Sequence, residues 1–97
     1  MTTSKDAIVA ASAKIEEHTI EGIAGPVLIK CARYNQVKRW MTADSGDIEA
    51  IMCSVVDETG AELLTREDVE ALPLNVFKAL VNAVLAANGL GGGPGKN

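Results

Sequence analysis

The chain has 97 residues and a mass of 10.1 kDa, enough for one domain and little more. With 47% apolar and 23% charged residues and a mean hydropathy of +0.14, its composition is globular and excludes a disordered polyelectrolyte. A net charge of −4 argues against nucleic acid as the main partner, and a domain this small buries only about 60% of its unfolded surface, which argues against a deep catalytic pocket.

In chain order, Thr3 or Ser4 can cap a first helix, with Asp6 in its opening turn. Ile8, Ala11 and Ile15 then lie on one narrow stripe, which predicts a weak helix within residues 1–18. Gly22, Gly25 and Pro26 break any helix, and the β-prone stretches Thr19-Ile20-Glu21 and Val27 to Cys31 flank them. A short β-hairpin near residues 19–32 follows. Residues Arg33 to Thr42 read as a helix with Val37, Trp40 and Met41 on one side and Lys38 and Arg39 on the other. Ser45-Gly46-Asp47 caps the next element, whose Ile48, Ile51, Met52 and Val55 fit helical spacing. The stretch from Ser54 to Gly60 can continue that helix, the favoured reading, or enter a hairpin.

The last third carries the clearest signals. Thr65-Arg66-Glu67-Asp68 is a capping-box start with Asp in place of Glu, and the short helix ends by Ala71 because Leu72 precedes a proline. Pro73 opens the main helix in its first turn, and Val76, Phe77, Leu80, Val81, Val84 and Leu85 give it a broad apolar face. Gly89 and Leu90 form a Schellman stop. Beyond it, Gly91 to Asn97 reads as a flexible tail.

Charge is unevenly spread. Residues 1–42 carry six basic and four acidic groups, and residues 43–97 carry three and nine. Solvated helix faces account for this; head-to-tail electrostatic docking with another copy or a different partner is the sharper alternative. Cys31 and Cys53, with no CxxC and no histidine nearby, read as small buried hydrophobes of a reducing compartment. Lys14, Glu16 and Glu17 interrupt any signal-peptide core, and no stretch is long and apolar enough to span a membrane.

Little in the chain supports bond-making chemistry, and the expectation is a protein that is not an enzyme and uses no cofactor or metal. His18, the lone histidine, sits beside Glu16 and Glu17 and reads as a surface residue. A calcium loop starting at Asp57 would need glycine where Glu62 stands. The run from Gly91 to Lys96 lacks the Ser/Thr and the helix of a phosphate-binding loop. Trp40 fits either a core position or a partner anchor.

Three stretches carry a family resemblance: Val55-Val56-Asp57-Glu58-Thr59-Gly60, the run from Leu64 to Leu72, and the helix closing in Asn88-Gly89-Leu90. They resemble the tail assembly chaperones of long-tailed, non-contractile bacteriophages, in their short, non-frameshifted form. The resemblance covers residues 19–90 and is densest over 55–90. It departs from the family pattern at Leu64, where Phe is favoured, and in the first hairpin, which lacks the usual aromatic.

The resemblance implies a non-enzymatic assembly factor of the host cytoplasm that is absent from the finished virion. Its partners would be the tape measure protein and, through a frameshifted long form, the major tail protein, with self-association among copies. A small structural tail or connector subunit is the alternative. Gly95-Lys96-Asn97 is compatible with a slippery A AAA AAY heptamer, which would make the tail a hinge to a frameshifted extension. The domain expected is mainly α, with four to five short helices and the one hairpin; residues 1–18 form an N-terminal segment, 19–90 the chaperone domain and 91–97 the tail. Candidate partner-binding residues are Trp40, Met41, Phe77, Val81 and Val84; candidate charge-pairing residues are Lys38, Arg39, Glu67 and Asp68.

Overall fold

The computed structural model describes residues 4–90. The expectations for the glycine-rich tail at 91–97 lie outside the described residues. Helix α1 spans Lys5–Val9, α2 Tyr34–Thr42, α3 Gly46–Ser54, α4 Arg66–Glu70 and α5 Leu74–Ala87; strands β1, β2 and β3 span Ile15–His18, Val27–Lys30 and Val55–Val56. The mainly helical expectation is corrected to a mixed fold in which helices predominate around a three-stranded antiparallel sheet of order β1-β2-β3.

Three local expectations change with it. Ser4 caps α1 by accepting the Ala7 N–H at 3.1 Å, yet the helix ends at Val9 and buries no residue. Ile15, assigned to that helical stripe, instead pairs with Lys30 in the sheet. The first strand of the hairpin is therefore Ile15–His18 rather than Thr19–Glu21, and Ile20 reaches the core from the connection that follows. Finally, α3 stops at Ser54, because Val55 and Val56 extend to pair with Ile29 and Leu28. Both readings of that stretch hold in part: helix to Ser54, strand beyond it.

Helix ends follow their local chemistry. At α4, the Asp68 N–H donates to Thr65 Oγ1 at 3.2 Å and the Thr65 N–H donates to Asp68 Oδ2 at 2.9 Å, a complete capping box. Pro73 is the N-cap of α5, one position earlier than the first-turn position expected, and its carbonyl accepts the first helical bond from Phe77 at 2.9 Å. The α5 C-terminus is a full Schellman motif: Leu90 N–H donates to Leu85 O at 2.8 Å, Gly89 N–H to Ala86 O at 3.0 Å, and Gly89 has φ +72°.

The sheet's alternation decides where the core sits. Ile29 and Val55 face the helices and join Ile51, Val69, Leu80 and Val84, while Leu28 and Val56 point to the opposite side. Asn88 fastens the end of α5 to the exit of β2, since its Oδ1 accepts the Ala32 N–H at 2.7 Å. The β3 edge is closed by the chain's own return: Asp57 N–H donates to Ala61 O, Leu63 N–H donates to Val55 O, and Val56 bridges Glu62. This self-pairing blunts an edge that would otherwise be open to strand addition.

Candidate interaction groove

The β2–β3 pairing and the return stretch at 61–64 build one feature suited to binding, an open apolar groove of about 570 Å³. Its lining comes from Ile23, Pro26 and Leu28, from Val55 and Val56, and from Leu63, Leu64, Leu72 and Leu80. Leu63 is 55% exposed at the rim. An open aliphatic hollow is a surface that gains free energy when covered.

The turn at 57–60 forms the polar wall. Asp57 Oδ1 accepts the Thr59 N–H at 2.8 Å, the Thr59 hydroxyl at 2.6 Å and the Ala61 N–H at 3.1 Å. Those donors, the Thr59 hydroxyl foremost, hold the Asp57 carboxyl below its ordinary value, so the wall carries a fixed negative charge with exposed Glu58 beside it. Asp57, at which a calcium loop would have begun, thus closes a turn. No cluster of three or more His, Cys, Asp or Glu fit to hold a metal occurs among the described residues.

The residues singled out from the sequence are scattered by the fold. Trp40 is 6% exposed and Val84 fully buried, so both belong to the core rather than to a contact surface. Phe77 and Val81 are half-buried against that core on α5, and Met41 stands 75% exposed on α2. Of the charged candidates, Arg39 is paired within the chain to Glu49 at 3.5 Å and Asp68 is spent in the α4 cap, while Lys38 and Glu67 face solvent. The fold does not bring these nine residues into one site.

Leu28, Leu63 and Leu64 are the groove residues that sequence reasoning missed. The signal available was the Leu63-Leu64 pair, two large apolar side chains set in the otherwise acidic stretch from Asp57 to Glu70. At the far edge of the sheet, Glu16 is bonded to Lys14 and His18, each at 3.0 Å; these partners, Lys14 first, lower its carboxyl below the ordinary value. That edge is thereby a charged surface. No helix among the described residues is long and apolar enough to cross a membrane. The chain matches no protein-family model, no curated protein and no solved structure.

Proposed function

We propose that the chain is a non-enzymatic tail assembly chaperone of a long-tailed phage or prophage. It shields apolar faces of the tape measure protein in the host cytoplasm and leaves before the virion is complete. The major tail protein is recruited by a frameshifted long form of the same chain. The observation that supports this reading best is the open aliphatic groove between β2 and the 63–64 segment. Covering the apolar surface the groove still exposes would contribute roughly 2–3 kcal/mol in all, before the cost of association. Single contacts of that strength are weak, and many copies along one long client would act together through avidity. Weak units also suit a coat that tube subunits must later displace.

The test is co-expression with the tape measure protein encoded by the same phage. The wild-type chain should keep the tape measure soluble and co-purify with it. Leu63→Asp, which places a charge on the rim without entering the core, should lose both effects while keeping its urea midpoint. A folded Leu63→Asp variant that still solubilises the tape measure would refute the groove as the contact. Stoichiometric recovery of the chain from purified particles would refute the chaperone reading and favour a structural subunit.

A further inference from the structure

Two cysteines 22 residues apart in sequence meet at one place in the fold. Cys31 directly follows β2, and its N–H donates to Lys14 O at 2.8 Å, so the β1–β2 ladder runs on through it. Cys53 is the next-to-last residue of α3, at the point where the chain turns into β3. Antiparallel pairing sets Ile29 opposite Val55, so the last β2–β3 pair lies two residues from Cys31 on one chain and two residues from Cys53 on the other. Both thiols are free and half-buried, and both line a single cavity of about 230 Å³ together with Lys30, Arg33 and Glu62.

We infer that Cys31 and Cys53 form a thiol modification site, a pair that glutathione disulfide converts to an intramolecular disulfide. The Cys31 thiol loses its proton and its sulfur attacks glutathione disulfide; the S–S bond of that molecule breaks and one glutathione thiolate leaves and takes up a proton. The Cys53 thiol then loses its proton and attacks Cys31 Sγ, which breaks the mixed disulfide and releases the second glutathione. Two protein thiols are oxidised and one glutathione disulfide is reduced to two glutathiones, which carry off the two protons. The order follows from the surroundings. Lys30 and Arg33 share the cavity wall with Cys31 and attract an anionic tripeptide, whereas burial first, and then the Glu62 carboxylate, push the Cys53 thiol above its ordinary value. The bond would tie the exit of β2 to the end of α3, closing the loop that contains α2. This site is independent of the groove and of the function proposed for it.

The experiment treats the full chain with glutathione disulfide and follows it by intact mass and non-reducing tryptic mapping. The expected product is two hydrogens lighter, joins the tryptic peptide 31–33 to the peptide 40–66, and melts higher than the reduced protein by about 10 °C or more. Cys53→Ser should stop at a glutathione adduct on Cys31 and show no such rise. Wild-type protein that carries two glutathiones without the joined peptides overturns the inference. So does a product cross-linked only between molecules, or a joined product that melts lower than the reduced chain, since that bond would be made in a distorted fold.

Discussion

Among the described glycines the tightest steric constraint is at Gly46, the first residue of α3, and it gives a prediction whose sign is decisive. An ideal Cβ on Gly46 would lie 1.8 Å from the Trp40 carbonyl oxygen, 2.8 Å from its carbonyl carbon and 3.2 Å from its Cα. All three are backbone atoms of α2, so no side-chain rotation relieves the clash. Gly46 does not have positive φ, and a Gly→Ala change at an unstrained helix start would ordinarily stabilise by about 0.4–1 kcal/mol. Here the methyl group instead forces α2 and α3 apart, opening the junction that buries Trp40 and sets Arg39 against Glu49. Overpacking combined with partial loss of the Trp40 contacts gives an expected destabilisation of about 2–4 kcal/mol. That is a large share of the ~5–15 kcal/mol available to a domain of this size. Urea denaturation of Gly46→Ala measures it, with Gly89→Ala as the comparison. Gly89 has φ +72° and nothing within 4 Å of an added methyl, so its alanine should cost only the left-handed strain of about 1–2 kcal/mol. A Gly46→Ala protein as stable as wild type, or more stable, would refute the steric argument outright.

Four further outcomes are expected. Ile51→Ala, at a fully buried site, should cost about 2–5 kcal/mol in the same denaturation assay. Thr65→Ala removes the side-chain half of the α4 capping box and should cost about 1 kcal/mol, with loss of hydrogen-exchange protection confined to the first turn of α4. Leu63→Asp should change stability by no more than about 0.5 kcal/mol, because the side chain is already more than half exposed. Asp57 and Asp68 both have carboxyls held below their ordinary value of 3.8, Asp57 by the Thr59 hydroxyl first and Asp68 by the Thr65 backbone N–H first. A depressed folded value contributes stability that is complete above the unfolded value and disappears as pH falls through the folded one. Melting temperature should therefore hold steady down to about pH 5 and drop below about pH 4. Asp57→Asn, which keeps the acceptor oxygen and removes the charge, should flatten part of that drop.

Much of the fold was legible wherever one stretch of chain decides its own structure. The Ser4 cap, the Thr65–Asp68 box and the Schellman turn at Gly89–Leu90 each satisfy backbone groups within a few residues, and sequence spacing identifies them directly. The errors fall where a distant partner decides. Ile15 fits a helical stripe as well as a strand, and only the Lys30 opposite it selects the strand. Val55 continues the apolar spacing of α3 and its N–H still makes the helical bond to Ile51, but its carbonyl accepts from Leu63 and it pairs with Ile29, so the helix ends one residue before it. Trp40 could not be placed because its burial depends on the close approach that Gly46 permits.

The groove belongs to this second group, and that is why sequence spacing does not point to it as a site. Its walls come from three parts of the chain, around residues 23–28, 55–64 and 72–80, which no sequence periodicity links. What unites them is the two-residue β2–β3 pairing and the return of the chain at 61–63. A strand that short contributes little stability by itself, so the Asp57 turn and the Leu63–Val55 hydrogen bond do much to keep the groove's shape. It follows that the aliphatic side chains and the acidic turn are one structural unit: the carboxylate that looked like a fragment of a metal loop anchors the turn from which the chain returns through Leu63 and Leu64.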